Sequence, residues 1–103
     1  MSDENLTAMA NPPHPGEFIE ATYLTPLNLS ARQLAGALGV APTSVTRVLA
    51  GTARVTPEMA VRLEKVLGRS AESWLSMQDA YDLARARSAG TGADLRPLPD
   101  LVA

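Results

Sequence analysis

SARQLAGALGVAPTSVTRVLAG, residues 30–51, reads as two short helices joined by a sharp turn. Leu34, Ala35 and Leu38 recur at helical spacing and give a first helix one apolar face. Ser30 followed by Gln33 is a capping box at its start, where each side chain can satisfy a backbone N–H of the other residue. Gly39 follows the last apolar residue, where left-handed backbone angles are needed to turn the chain. Pro42 can open a second helix, because its missing N–H would be unpaired in a first turn anyway. Val45, Val48 and Leu49, with Ala41, form the inner face of that helix, and Gly51 ends it. Ala35 is small where the two helices should cross, and Val45 should pack back on the first helix. Each position has its own steric reason and all agree on a helix-turn-helix, the unit that sets its second helix in the DNA major groove. A purely structural helical hairpin is the competing reading.

A turn of 100° per residue sorts the second helix. Thr43, Ser44, Thr46 and Arg47 fall on its outward side and flanks, so they are the candidates for reaching base edges. Arg47 suits bidentate contact with guanine, and the threonines offer a hydroxyl and a methyl, the latter matching a thymine methyl group. Arg54, in the loop leaving the motif, lies where a backbone phosphate should pass. Ser30 and Gln33 are further candidates for phosphate contact, although capping alone would explain them.

Charge supports the same surface. The net charge is −2, which at first argues against a polyanionic partner. Its distribution argues the other way: residues 21–57 carry Arg32, Arg47 and Arg54 and no acid. Phosphate repels carboxylate, so a DNA-facing surface should be depleted in acids. Three arginines are few, and a dimer presenting two such surfaces is expected to bind better than one copy.

The remaining chain frames the motif. With 103 residues, one small domain with a modest core is expected. Only Phe18, Tyr23, Trp74 and Tyr81 are aromatic, so Leu, Val and Ala must fill most of that core. Periodicity is helical throughout, which makes the class all-α. Residues 1–13 read as a polar N-terminal arm, in which Met9 is an alternative start. Residues 14–88 form the helical domain and 89–103 a C-terminal tail. His14-Pro15-Gly16-Glu17 opens the first helix, with Phe18, Ile19 and Tyr23 on its apolar face. That helix is expected to run to Leu24 and to be stopped by Pro26, with Leu27 and Leu29 plugging the gap beside the next helix. Thr56-Pro57-Glu58 starts a fourth helix, whose inner face is Met59, Ala60, Leu63, Val66 and Leu67 and whose end is Gly68. Ser70 caps a fifth, carrying Trp74, Leu75, Met77, Tyr81 and Ala84 and fraying near Ser88. Its apolar face is wider than one small domain needs, which leaves surface for a dimer. Leu95, Leu98, Leu101 and Val102 make the tail too apolar for a plain spacer.

Several functions are excluded by inventory. There is no cysteine, hence no disulfide or thiolate metal site. His14 is the only histidine, so it reads as a capping or surface residue rather than a metal ligand. No carboxylate pair sits in an apolar surround and no glycine-rich phosphate loop is present, so an enzyme and a cofactor are not expected. No apolar run approaches the ~20 residues of a membrane span, and the acidic N-terminus is no signal peptide. A cytoplasmic protein is the default.

Residues 12–88 resemble the HigA group of antitoxins, within the phage-repressor-like helix-turn-helix regulators. The matching pieces are PPHPGEFI at the first helix, the pattern from Leu34 to Val45, TPEMAVRLEKVLG, and SAESWLSMQDAYDLARAR. The resemblance implies a five-helix, lambda-repressor-like DNA-binding domain that forms a homodimer. It implies binding to a palindromic operator of double-stranded DNA in the protein's own operon, and hence autorepression. It also implies neutralisation of a co-encoded HigB-type toxin, a ribosome-dependent mRNA endonuclease. A solitary repressor without a toxin shares the DNA chemistry and remains the alternative. Departures from the group's pattern fall at Ala41-Pro42-Thr43-Ser44, where a side-chain cap and basic residues are common, and at Ala50, where Asn is common.

Overall fold

The computed structural model describes residues 11–99; Met9, Leu101, Val102 and most of the expected arm lie outside the described residues. The described residues form five helices and no strand.

Helix α1 is continuous over 15–27, in three parts: an α-helical start at Pro15–Ile19, a π-helical turn at Glu20–Leu24, and a final α-helical turn at Thr25–Leu27. His14 is its N-cap, with extended backbone and Nδ1 accepting the Gly16 N–H at 2.9 Å. Contrary to the expectation from sequence, Pro26 does not stop this helix. The π turn explains why. The Thr25 N–H reaches back five residues to the Glu20 carbonyl, and the widened turn relieves the clash a proline ring makes with the carbonyl one turn before it. The helix ends instead at Asn28, whose φ of 54° is left-handed. Leu29 packs on the core, but Leu27 points to solvent at 61% exposure and plugs nothing.

Helix α2 (Ala31–Leu38) and helix α3 (Pro42–Leu49) form the helix-turn-helix. The capping box is complete: Ser30 Oγ accepts the Gln33 N–H at 3.0 Å, and Gln33 Oε1 accepts the Ser30 N–H at 2.8 Å. Gly39 turns the chain at φ 72°. Arg62 secures this turn by donating from Nη1 to the Leu38 carbonyl at 2.7 Å, an orphan acceptor at the end of α2. Val45 and Val48 are buried and Leu49 packs beside them. Ala41 is exposed rather than inward, because its extended backbone precedes the helix and so falls outside the 100° register.

Helix α4 (Pro57–Leu67) starts at Thr56, whose hydroxyl accepts the Met59 N–H at 3.2 Å. Ala60 and Leu63 are fully buried, whereas Val66 is exposed. The helix packs chiefly on α2 and on α5 (Ala71–Ser88), so the stripe it buries is narrower than its apolar period. Ser70 caps α5, and Glu64 Oε1 accepts the Ala71 N–H at 2.7 Å across the connection. Trp74 is wholly buried at the centre, with the Phe18 ring edge-on at 5.9 Å. Leu95 and Leu98 are exposed, so the described part of the tail does not pack on the domain.

Candidate nucleic-acid interface

Two contacts hold α3 from behind. Val45 and Val48 anchor it in the core, and Gly16 of α1 lies against the backbone of Val48 and Leu49. With its inner side fixed, α3 presents Thr43, Thr46 and Arg47 to solvent and Ser44 on its flank, as the helical period requires. The Thr46 hydroxyl donates to the Thr43 carbonyl at 3.2 Å. That satisfies its hydrogen locally and leaves the oxygen lone pairs unused by this bond. Ala41 makes no side-chain cap bond, so the start of α3 relies on Pro42.

The loop after α3 is wound back on Arg47. The Arg47 carbonyl accepts the Thr52 N–H at 3.0 Å, the Ala53 N–H at 3.2 Å and the Thr52 hydroxyl at 3.2 Å. Gly51, at φ 81°, permits this reversal. The backbone position of the candidate base-reading arginine and the path of the loop are thus one unit.

Ser30 and Gln33 sit at the start of α2 with their capping bonds made. Those bonds use the acceptor of each side chain, leaving the Ser30 hydroxyl hydrogen and the Gln33 amide hydrogens for an outside oxygen.

Arg54 is not an open phosphate ligand. Its Nε donates to Asp82 Oδ2 at 2.9 Å, its Nη2 lies 2.7 Å from the same oxygen, and Asp79 Oδ1 is 3.5 Å away. The window 21–57 is therefore acid-free in sequence but not in space, since α5 lays two carboxylates against its last arginine. The guanidinium is planar with donors on several edges, and Nη1 has no protein partner among the described residues.

Two residues in this region escaped the sequence reading or were only half read. Gln78 is buried at 1% exposure, accepting the Val55 N–H at 2.8 Å and donating to Asp82 Oδ1 at 3.1 Å. Its signal was its place one turn after Trp74 on the buried stripe of α5, where a polar residue demands partners. His14 caps α1, but it is buried rather than on the surface. Its ring stands edge-on to Tyr81 at 4.9 Å. Burial lowers its pKa below the ordinary histidine value, against the opposing pull of Asp82, the Ala53 backbone and Glu17. Nδ1 acts as an acceptor, which puts the proton of the neutral ring on Nε2.

No group of three or more His, Cys, Asp or Glu placed to hold a metal occurs among the described residues. None of the described helices is long and apolar enough to cross a membrane.

Comparison with known proteins places this geometry. The helix-turn-helix family model matches residues 21–75. The chain is 43% identical over 90 residues to the Escherichia coli K12 regulator YddM, described as an uncharacterized HTH-type transcriptional regulator, covering 87% of this chain and 95% of that one. Among solved structures, an addiction module antidote protein of the HigA family from Coxiella burnetii is 35% identical with a TM-score of 0.77, over 85% of this chain and 99% of that one. The Pseudomonas aeruginosa antitoxin HigA, solved with the higBA promoter, is 31% identical with a TM-score of 0.78, over 86% of this chain and 98% of that one.

Proposed function

The chain belongs to the helix-turn-helix family and, within it, to the HigA group of antidote proteins, and from that premise we propose that it is an autorepressor that binds its own operator as a homodimer. The observation that carries this reading is the outward face of α3, with Thr43, Thr46 and Arg47 exposed on a fold shared with an antitoxin solved with its promoter. In this reading α3 lies in the major groove. Arg47 pairs with guanine, while Thr43, Ser44 and Thr46 supply hydroxyl and methyl contacts. Ser30, Gln33 and the outer edge of Arg54 take backbone phosphates, which set register rather than sequence. Two copies would place two α3 helices about one DNA turn, ~34 Å, apart on a palindrome. The DNA-binding unit is residues 14–88, flanked by the arm and the tail.

The same chain is proposed to neutralise a co-encoded HigB-type mRNA endonuclease by forming a complex with it. Support comes from the antidote relatives. A repressor without a toxin is the second reading, favoured by relatives such as YddM that are described only as regulators. Co-expression with the adjacent small reading frame, followed by co-purification, separates the two. A stable complex that abolishes mRNA cleavage supports the antitoxin, whereas a frame that encodes no such partner leaves the solitary regulator. Operator binding is tested by titrating a duplex from the upstream region against a scrambled duplex of equal length. Equal affinity for both would remove the autorepressor reading.

A further inference from the structure

Asp82 accepts hydrogen bonds on both oxygens: Oδ1 from Gln78 Nε2 at 3.1 Å and Oδ2 from Arg54 Nε at 2.9 Å. Gln78 is itself held from its other end, where Oε1 accepts the buried Val55 N–H at 2.8 Å. A buried amide with both ends in use cannot flip without breaking two bonds in a poorly solvated place. The Asp82 carboxylate is therefore aimed by a side chain that solvent does not reach. On the surface, by contrast, an arginine–carboxylate pair between long side chains is loosely held. Arg54 is 56% exposed at its side chain, so an acid on α5 would by itself orient it weakly.

The orientation matters because of where the arginine stands. Its backbone follows the loop that three hydrogen bonds fold onto the Arg47 carbonyl. One edge of the guanidinium faces Asp82, and Nη1 is left on the opposite side. A carboxylate clamped to one edge of a planar fork fixes the direction of the other.

We propose that Gln78 is a positioning residue for DNA: acting through Asp82, it holds the Arg54 guanidinium in the orientation that meets a backbone phosphate beside α3. This rests on the phosphate role given to Arg54 above. Gln78 touches no DNA in this arrangement. Its effect on affinity passes through Arg54 alone.

The test is a double-mutant cycle on the full chain with a mixed-sequence duplex about three helical turns long, since phosphate contacts ignore sequence. Gln78→Met, close in size and neutral, removes both polar ends. Gln78→Glu keeps the acceptor for Val55 and loses the donor to Asp82, and it serves if the methionine variant is poorly folded by circular dichroism. In the Arg54 background each is expected to weaken binding about three- to tenfold and to flatten the salt dependence toward that of Arg54→Ala. In the Arg54→Ala background the methionine variant should have no effect. The glutamate variant should keep only the effect of its added charge, smaller than its effect when Arg54 is present. Equal losses in both backgrounds would overturn the proposal, since Gln78 would then act on the fold generally. No loss from either Gln78 variant, while Arg54→Ala still weakens binding, would overturn the positioning role and leave the phosphate contact standing. No effect of Arg54→Ala itself would remove the phosphate reading and the proposal with it.

Discussion

Gly16 and Val48 are in backbone contact: a Cβ built on Gly16 would land on the Val48 carbonyl oxygen and within 2.7 Å of the Leu49 Cα. The start of α1 thus rests directly on the helix that presents Thr43, Thr46 and Arg47. Backbone atoms cannot move aside as a side-chain end can, so Gly16→Ala must push α1 and α3 apart. We expect a loss of roughly 2–4 kcal/mol in denaturant unfolding, within the range of severe packing changes. DNA affinity should fall even where the fold survives. A stability change under about 0.5 kcal/mol would show that the crossing is soft.

Arg47→Ala should erase the preference for operator over random duplex, a loss of about 1–3 kcal/mol in discrimination. Its side chain is exposed, so unfolding should be nearly unchanged. Unaltered discrimination in a competition titration would assign the reading to the hydroxyls or to DNA shape.

Arg54→Ala should weaken all duplexes alike and reduce the slope of log affinity against log salt by about one. It also frees Asp82, so stability should fall by no more than about 1 kcal/mol, as for an exposed pair. A loss confined to one sequence would show Arg54 reading bases.

His14 makes stability depend on pH. Its folded-state pKa lies below the ordinary value near 6.5 because burial disfavours the cation. The folded state then binds fewer protons than the unfolded one, so stability rises with pH. The contribution is complete above the unfolded value and is lost as pH falls through the folded one. Protonating Nδ1 also removes the acceptor for the Gly16 N–H. The melting midpoint should drop between pH 7.5 and 5.5, and His14→Asn, which can still cap, should show a smaller drop. An identical drop in both proteins would assign the effect to another group.

Ala41 leaves the start of α3 without a side-chain acceptor, and its backbone at φ −67° and ψ 146° already suits an N-cap. Ala41→Ser should raise unfolding free energy by about 1 kcal/mol. Because Ala41 is exposed, no core packing is disturbed. A neutral or lower value in urea denaturation would show that Pro42 already sets this end.

Local chemistry was the legible part of this chain. The Ser30–Gln33 box, the left-handed Gly39, the Thr56 and Ser70 caps and the buried faces of α2 and α3 all depend on residues within a turn or two of each other. Where local rules failed, a neighbour beyond that range had intervened, or the backbone had changed register. Pro26 continues a helix because a π turn precedes it, and Val66 stays exposed because α4 buries only a narrow stripe.

The sequence by itself determined the five helices, the turn between α2 and α3, and which residues α3 turns outward. Helical periodicity and capping are short-range, so they are written in adjacent letters. Only the tertiary structure decided that Gly16 is the crossing point and that Asp82 engages Arg54. It alone decided that Gln78 joins Val55 to that pair. Those partners are 28 residues apart for Arg54–Asp82 and 23 for Val55–Gln78. Such pairs are chosen by how the helices pack, because a buried polar group takes whatever partner the fold brings within reach. Hence the outward side of α3 was visible in the letters, while the α5 side chains that hold its loop in place were not.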